Sequence, residues 1–392
     1  MSKVRVYLLV IMMVSVGAIL RIASLGTHES LPRLSSHQDG HYDYEGVIHW
    51  HTGYSGDAQG TYEQIAEIGN QQHLDFLITT EHNNLLALHE HKEGWHGGML
   101  TLVGVESTRK EGYLLGLNLR SCKGCLGTTD NFLLETSRQG GFVIIAHPRN
   151  PRWPWRGKIA KPIEGQEIVD LTDQFTTASP LAVLSGVLYY PWNTSAGFMQ
   201  VYHRPVETLK MWDDENSRRP FVGIYAPDVH QAIRINGRNI FRFPKAENVL
   251  PIAHDHVILP MPFTGDFSKD KPMLYDAVRK GRIYIAVDSL GDATGFFFSA
   301  RQNNRTGWMG DQLLAGVKTY FWVVAPKNLA FKESIINVYH NGKKIAQGTG
   351  LSYSFQAMLP GSYRIEVEVN IPTFWGLGKR VIWIYSNPIY LR

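Results

Sequence analysis

Histidine and carboxylate side chains recur in this sequence just after short apolar segments. The first group stands in residues 46–57, where His49 and His51 are two residues apart and Asp57 follows a Gly53-Tyr-Ser-Gly56 turn. Residues i and i+2 of a strand point to the same face, so two imidazoles at this spacing can bind one metal ion. Chance is the alternative explanation for a single His-x-His pair, because the chain contains 16 histidines.

Further histidines and carboxylates follow later apolar segments in the same way. These candidate ligands are His82, Glu106, His147, Asp228 and His230. Imidazole and carboxylate ligands together suit Zn, Mn or Fe, and a carboxylate such as Glu106 can bridge two ions. A lone histidine such as His147 is more often structural than a metal ligand, so the prediction depends on the whole set.

Strands that alternate with helices are predicted to position these groups. Strands are predicted at residues 74–79, 99–105, 113–119, 142–146, 183–190 and 221–225, and helices after Thr61 and over residues 131–139. Thr61 and Gln64 have the spacing of a capping box. The alternation indicates a parallel β/α architecture, and in a barrel of this class the C-terminal strand ends build the active site.

The C-terminal part of the chain has a different character. From about residue 295 onward no segment predicts a convincing helix, and strands are predicted at residues 319–324, 335–339, 363–369 and 381–385. We therefore expect an all-β sandwich over residues 295–392 that braces a catalytic domain at residues 46–290. In residues 363–369 apolar side chains alternate with Arg364, Glu366 and Glu368, which predicts a half-buried antiparallel strand.

The N-terminal residues have the features of a targeting signal. Lys3 and Arg5 precede the apolar run Val6 to Leu20. Residues 1–26 are therefore predicted to be a signal anchor or a signal peptide, with the uncleaved anchor favoured, and residues 27–45 a linker. The positive charges place the N-terminus inside and the body of the protein outside the cytoplasm, anchored to the membrane.

Composition limits the partners of this chain. The 392 residues are 44% hydrophobic, as in a globular protein, and 39 basic against 35 acidic residues give a net charge of +4. No long block of one sign is present, so no nucleic-acid partner is expected, while a mild positive balance suits an anionic substrate. Cys122 and Cys125 can close one small loop as a disulfide, and without a second pair they are weak evidence for zinc.

The order of these motifs resembles that of the PHP superfamily, named for polymerase and histidinol phosphatase. Over about residues 46–290 the matching pieces are His49-Trp-His51-Thr with Asp57, Asp75-Phe-Leu-Ile-Thr-Thr-Glu-His82-Asn, Gly104-Val-Glu106, Ala146-His147-Pro148 and Asp228-Val-His230. Met309-Gly-Asp311, Pro360-Gly-Ser-Tyr-Arg364 and Ser386-Asn-Pro-Ile-Tyr390 look like the tail of a branch that includes carbaryl-type hydrolases. The resemblance implies a distorted (β/α)7 barrel with a C-terminal all-β sandwich.

The resemblance also implies a ligand set for two or three divalent ions (Zn, Mn or Fe). His49 and His51 would bind one ion, shared through Glu106 and completed by Asp228. His147 would serve a second ion, and Asp57, His82 and His230 a third. Two positions depart from the family pattern. Glu81 stands where an Asp is usual, and Tyr113 follows Gly112 where relatives often carry Gly-His.

The implied activity is metal-dependent hydrolysis of a small anionic ester. A metal-bound hydroxide would attack a phosphate ester, with Glu106 at the reacting centre and Arg149 holding an anionic group. A solvated basic loop is the alternative for Arg149. An amide, carbamate or ester hydrolase is the alternative within the enzyme class, and a degenerate PHP binding or scaffold module is the alternative outside it. His254 and His256 could add a ligand or could be structural.

Overall fold

The structure is a computed structural model that describes residues 12, 40–235, 238–327, 333–372 and 378–392. Apart from Met12, the predicted signal anchor at residues 1–26 lies outside the described residues, as does the predicted linker up to residue 39. Among the residues that are described, no helix has both the length and the apolar character needed to cross a membrane.

Strands and helices alternate up to about residue 290, and strands follow. The strands are β1 (Tyr42–Ile48), β2 (Phe76–His82), β3 (Gly94–His96), β4 (Met99–Arg109), β5 (Gly112–Leu117), β6 (Phe142–Ala146), β7 (Ile163–Asp170), β8 (Val222–Ala226), β9 (Ile233–Ile235), β10 (Arg238–Phe241), β11 (His254–Leu259), β12 (Ile283–Ala286), β13 (Phe297–Gln302), β14 (Arg305–Trp308), β15 (Gln312–Leu313), β16 (Thr319–Val324), β17 (Ser334–His340), β18 (Lys343–Thr349), β19 (Ser352–Ala357), β20 (Gly361–Pro372), β21 (Gly378–Ser386) and β22 (Ile389–Leu391). The helices are α1 (Tyr62–Gln71), α2 (Leu86–His89), α3 (Thr129–Arg138), α4 (Leu171–Thr177), α5 (Pro180–Tyr189), α6 (Thr194–Val201), α7 (Val206–Asn216), α8 (Ala246–Val249) and α9 (Phe267–Lys280).

The strands that carry the predicted ligands lie in one curved sheet, in the order β1-β2-β4-β5-β6-β7-β8. The pairs β1-β2, β2-β4, β6-β7 and β7-β8 are parallel, whereas β5 pairs antiparallel with both β4 and β6. The far edge returns to β1, because the Asp228 amide donates to the His49 carbonyl at 3.1 Å and the His51 amide to the Val229 carbonyl at 3.2 Å. This mixed α/β, barrel-like arrangement confirms the coarse architectural prediction. Its assignment as a distorted (β/α)7 barrel stays a prediction.

The same sheet continues into the C-terminal part of the chain. β1 pairs antiparallel with β11, β11 with β12, β12 with β21, and β21 with β20. A separate four-stranded sheet has the order β14-β13-β16-β19. The predicted change to β structure after residue 295 is therefore confirmed, and one sheet runs across the predicted boundary. The division into two domains stays a prediction.

Several local predictions are confirmed by the contacts that form them. The Thr61 side chain accepts from the Gln64 amide while the Gln64 side chain accepts from the Thr61 amide, which completes the capping box of α1. The predicted helix at residues 131–139 is α3, which begins two residues earlier, after the side chain of Thr128 caps it. Cys122 and Cys125 form a disulfide, so the chain uses them to close a loop.

The predicted strand at residues 183–190 is wrong. These residues form most of α5, whose first turn is capped by the Ser179 side chain and begins with Pro180. Pro at the first helical position fixes φ in the helical range, and that start signal outweighs the β propensity of the apolar run. Leu184 and Leu188, one turn apart, are 56% and 60% exposed, so the helix carries an apolar face that the rest of the described chain leaves uncovered.

The alternation in residues 363–369 does not produce a half-buried strand. Both faces of β20 are covered: Arg364 is 1% exposed and Glu366 fully buried. Arg364 donates from Nε and Nη2 to the two carboxylate oxygens of Asp213 in α7, at 2.7 and 2.8 Å. The polar face is therefore buried as an ion-pair network against the α/β part of the chain, because each charge has a partner there.

Candidate metal centre

The eight predicted ligands converge at one end of the curved sheet. His49, His51 and Asp57 follow β1, His82 ends β2, Glu106 lies near the end of β4, His147 follows β6, and Asp228 and His230 follow β8. The carboxyl ends of parallel strands meet at one edge, which explains why residues far apart in sequence come together. Their roles as metal ligands stay predictions.

The Glu106 carboxylate lies at the centre of the group. Its Oε2 atom is 2.9 Å from Nδ1 of His82 and 3.3 Å from Nε2 of His51, and its Oε1 atom is 3.6 Å from Nε2 of His147. Asp228 Oδ1 lies 3.3 Å from Nε2 of both His49 and His51. Since its two oxygens face different histidines, Glu106 has the geometry of a bridging ligand.

A second part of the cluster is more open to solvent. Nε2 of His82 and Nε2 of His230 are 3.1 Å apart, and Asp57 Oδ2 lies 3.3 Å from Nε2 of His82. With His51, the rings of His82 and His230 offer three nitrogens within 4.8 Å of one another, a separation that one ion could span. The side chains of these two histidines and Asp57 are 21–27% exposed, so this part of the centre faces solvent.

Glu167 and Asp170 on β7 also belong to the cluster, although the sequence analysis missed them. Together with His49 and His147 they form a buried group whose ligand atoms lie within 4.8 Å of one another. Glu167 contacts Nδ1 of His49 at 2.5 Å and accepts from the His147 amide at 2.7 Å. The available signal was Asp170 itself, a carboxylate directly after the apolar pair Ile168-Val169.

Hydrogen bonds fix which nitrogen each imidazole presents to the cluster. Ser55 Oγ donates to Glu81 at 2.5 Å, so it must accept from Nδ1 of His51, at 2.9 Å. The Glu167 carboxylate likewise accepts a hydrogen bond from Nδ1 of His49. Both Nε2 atoms therefore point into the centre, where they are 3.1 Å apart. Such outer partners are typical of metal-ligating histidines.

Glu81 is an orienting group in this structure. Its carboxylate accepts from Thr52 at both the amide (3.1 Å) and the hydroxyl (2.7 Å), as well as from Ser55. The side chain is fully buried and is directed to the turn after β1. Glu81 is one methylene longer than the usual Asp, and its carboxylate contacts Ser55, which in turn bonds His51.

Three of the predicted ligands have strained backbones. The φ angles of His49, His147 and Asp228 are 78°, 50° and 44°, in the left-handed region that residues other than glycine seldom adopt. Each such residue costs about 1–3 kcal/mol, and such residues cluster at functional sites. The surrounding fold holds these three side chains in place against their backbone preference.

The electrostatics of the cluster differ from one histidine to the next. Burial and the nearby His51 lower the pKa of His230 to about 4. Burial alone would lower the pKa of His82, but hydrogen bonds to Asp57 and Glu106 outweigh it and raise that pKa to about 10. Burial opposes ionisation of Glu106 as well, and the attraction of the histidines holds its pKa well below the usual range. Without metal the carboxylates retain protons on some of the imidazoles, and metal binding would release those protons.

The donor set fits divalent metal ions. Two Nε2 atoms that face each other at 3.1 Å must share a proton or a cation. Tetrahedral Zn ligands at about 2.0–2.1 Å from the ion lie about 3.3 Å apart. Among the described residues, His147 Nδ1, Asp170 Oδ2 and Asp228 Oδ1 are buried without a hydrogen-bond partner. Buried polar atoms of this kind are costly unless something absent from the protein chain satisfies them.

Arg149 and Tyr113 are the two remaining residues that the sequence motifs place near the centre. Arg149 is exposed on the loop after His147, and its role in holding an anion stays a prediction. The ring of Tyr113 meets that of His147 edge-on, with centroids 5.9 Å apart. Burial, followed by the charge of Glu106, raises the pKa of Tyr113, so its phenol stays neutral and lines the centre beside His147.

His254 and His256 form a separate buried network. Asp43 Oδ1 is 2.9 Å from Nδ1 of His256, and Asp288 Oδ2 lies 3.2 Å from its Nε2 and 2.8 Å from Nδ1 of His254. Glu45 completes a group whose spacing could hold an ion. The carboxylates already provide acceptors for three of the ring nitrogens, so this network is satisfied as an ion-pair cluster.

This network predicts a pH dependence of stability. Burial would lower the pKa of His256, but Asp43 and Asp288 raise it well above its ordinary value. Its contribution is complete below the unfolded pKa of about 6.5 and is lost as the pH rises through the folded pKa. We expect His256→Ala to lower the free energy of unfolding by about 3–5 kcal/mol at pH 6. The gap between wild type and variant should narrow towards alkaline pH in thermal unfolding scans.

The exposed His89 provides the control for this prediction. His89→Ala should leave the unfolding curve nearly unchanged at every pH. A stability gap for His256→Ala that stays constant from pH 6 to pH 10 would contradict the proposed linkage.

A second prediction concerns the bond between Ser55 and His51. Ser55→Ala removes the acceptor that fixes the His51 tautomer, so we expect metal affinity to fall about 10–100-fold. Competition with a chromogenic chelator measures this change. Ser137→Ala, an exposed change on α3, is the control. Equal affinities in the two variants would refute the orienting role of Ser55.

Comparisons of the sequence with known proteins find no relative of this chain. No protein-family model matches the chain, and no curated protein matches it. A solved structure from Bifidobacterium adolescentis, provisionally assigned as a metal-dependent phosphoesterase, aligns with a TM-score of 0.27 and 11% sequence identity. The alignment covers 51% of this chain and 92% of that one. A likeness at this score supports no conclusion about fold or function.

Proposed function

We propose that this protein is a metal-dependent phosphoesterase of the PHP superfamily. The observation that carries the proposal is the pair of Nε2 atoms of His49 and His51, which Glu167 and Ser55 orient into the centre. The bridging position of Glu106 and the order of the motifs add support. Because nearly all of the ligand set is present, a degenerate binding or scaffold module is the weaker alternative.

The ligand set divides into three groups in this proposal. His49, His51 and Asp228 would hold one ion, His147 and Asp170 a second, and Asp57, His82 and His230 a third, with Glu106 between them. Such ions lower the pKa of a bound water and stabilise charge on phosphoryl oxygens. Glu167 and Ser55 orient the imidazoles, and Arg149 holds an anionic group of the substrate.

Hydrolysis assays with metal-loaded protein test this function. Full-length protein reconstituted with Mn or Zn should hydrolyse an aryl phosphate ester, and His51→Ala should remove that activity because it deletes a ligand at the centre. Full turnover by His51→Ala would refute the assignment of the centre. Activity on aryl carbamates or amides alone would favour the amide and carbamate hydrolases of the same superfamily.

We also propose that residues 1–26 anchor the enzyme outside the cytoplasm. The apolar run after Lys3 and Arg5 supports this proposal. Fractionation of cells that express the full chain or residues 27–392 tests it. The full chain should sediment with membranes and the shorter chain should not. Full-length protein in the soluble cytoplasmic fraction would overturn the proposal.

A further inference from the structure

A large cavity opens directly beside the metal centre. Its volume is about 620 Å³, and Asp228 and His230 form part of its wall. Cavities of about 300–1,000 Å³ are typical of small-molecule sites. The cavity therefore adjoins two of the predicted ligands.

The rest of the wall is mostly apolar. The side chains come from α4, α5, α6, α8 and the segment after β10, and they include Leu171, Phe175, Val187, Phe198, Phe243 and Val249. The ring of Tyr190 lies 5.1 Å from that of Phe243 and 5.9 Å from that of Phe198, centroid to centroid. These aromatic contacts give the cavity a continuous apolar surface.

Most polar groups in the wall are already bonded within the protein. The Tyr190 hydroxyl accepts from Asn248 at 2.9 Å. The Gln231 side chain accepts from Arg242 and the Ala246 amide, and donates to the Gln59 carbonyl. Asp228 Oδ1, in contrast, makes no hydrogen bond among the described residues and lies 3.3 Å from Nε2 of His49 and His51 at the metal centre. The cavity therefore has one polar end, at the metal centre, and an apolar body.

The mouth of the cavity is apolar as well. Phe175, Val187 and Phe243 are 41%, 62% and 38% exposed, although all three line the cavity. Leu184 and Leu188 continue this surface along α5, at 56% and 60% exposure. A ligand longer than the cavity would keep apolar contact beyond its mouth.

We infer that this cavity binds the alkyl group of an amphiphilic phosphate ester. This inference rests on the proposed function, because the ester phosphate would lie at the metal centre while the chain lies in the cavity. Hydrolysis adds water across the P–O bond and yields the long-chain alcohol and inorganic phosphate. An alkyl chain suits the site because burial of apolar surface is the main interaction that the wall offers.

The inference is tested with a series of methyl, butyl and octyl phosphate and the metal-loaded full-length protein. Each buried methylene should raise kcat/KM about three- to fourfold until the cavity is filled. Val187→Asp places a charge at the exposed rim, and should lower the ratio of kcat/KM for octyl over methyl phosphate at least about tenfold. Leu181→Asp is the matched control, since Leu181 lies on the same helix, is 72% exposed and does not line the cavity.

Calorimetric binding of octylphosphonate, which cannot be hydrolysed, provides a readout that needs no turnover. Wild type should bind it with a negative heat-capacity change, and Val187→Asp should weaken that binding. Equal kcat/KM for methyl and octyl phosphate would overturn the inference and leave the proposed function intact. Absence of hydrolysis with chain-dependent phosphonate binding would overturn the proposed function and support the cavity as an alkyl site. If Val187→Asp and Leu181→Asp lowered the ratio of kcat/KM for octyl over methyl phosphate equally, the inference would be overturned.

Discussion

Replacing Glu106 by glutamine is expected to reduce kcat/KM for an aryl phosphate at least about a hundredfold, or about 2.7 kcal/mol. The substitution keeps the shape of the side chain but removes the negative charge that lies between His51, His82 and His147. A neutral amide cannot bridge two cations as a carboxylate can. We therefore also expect bound metal, measured by elemental analysis of purified protein, to fall by at least one ion per chain.

The control for this experiment is the same chemical change on the surface. Glu247 lies in α8 with its side chain 47% exposed, and pairs loosely with Lys245 at 3.6 Å. Glu247→Gln should leave both metal content and turnover unchanged. If Glu106→Gln retained the full metal content and rate, Glu106 would not be a ligand and the centre would have to be assigned again.

Most of the predicted ligands could be found from sequence because they come shortly after an apolar segment. Leu77-Ile-Thr-Thr80 and Phe142-Val-Ile-Ile-Ala146 are buried strands in the structure, and the histidines that follow them lie at the centre. The apolar run marks the strand, the next polar residue marks its end, and strand ends meet in this architecture. Local sequence therefore sufficed to name residues that are more than 100 positions apart.

Glu167 could not be found in this way, and the only signal for Asp170 was the short apolar pair Ile168-Val169 before it. The strand that carries them begins Ile163-Glu-Gly-Gln-Glu, a segment too polar to indicate a buried parallel strand. Gln166 is nevertheless fully buried, because its amide donates to the Thr208 carbonyl of α7. Polar residues buried by specific tertiary partners give no periodic signal, so the orienting carboxylate for His49 appears only in the folded protein.

The error at residues 183–190 has a related cause. An apolar run of this length is compatible with a buried strand or a helix, and periodicity alone does not separate them. A contact between helices adds to the start signal at Pro180. A Cβ at Gly186 would lie 3.0 Å from the Gly197 carbonyl, and a Cβ at Gly197 would lie equally close to the Gly186 carbonyl. The two glycines let α5 and α6 pack closely, while the apolar face of α5 stays exposed beside the cavity.

Arg364→Ala is expected to lower the free energy of unfolding by about 3–5 kcal/mol, which would be among the largest effects of any change outside the metal centre. Arg364 is 1% exposed and is bonded twice to Asp213 and once, at 2.7 Å, to Glu366. Its removal leaves the Asp213 carboxylate buried without its main partner, whereas Glu366 keeps Arg204 at 2.6 and 2.8 Å. Urea unfolding followed by the fluorescence of the ten tryptophans measures the loss, and one of them, Trp212, has its ring 5.4 Å from the Arg364 guanidinium.

Two further variants separate the cost of leaving a buried charge without its partner from the cost of lost packing. Arg380→Ala, on the neighbouring strand, removes an arginine that is 69% exposed and lies 3.6 Å from Glu368, so it should cost less than about 1 kcal/mol. The double variant Arg364→Met and Asp213→Leu removes both charges and should recover part of the stability lost in Arg364→Ala, because apolar side chains can replace a buried pair. A loss for Arg364→Ala no larger than that for Arg380→Ala would mean that the ion pair does not hold the C-terminal strands to α7. The sheet contacts between β12 and β21 would then be the main link between the two parts of the chain.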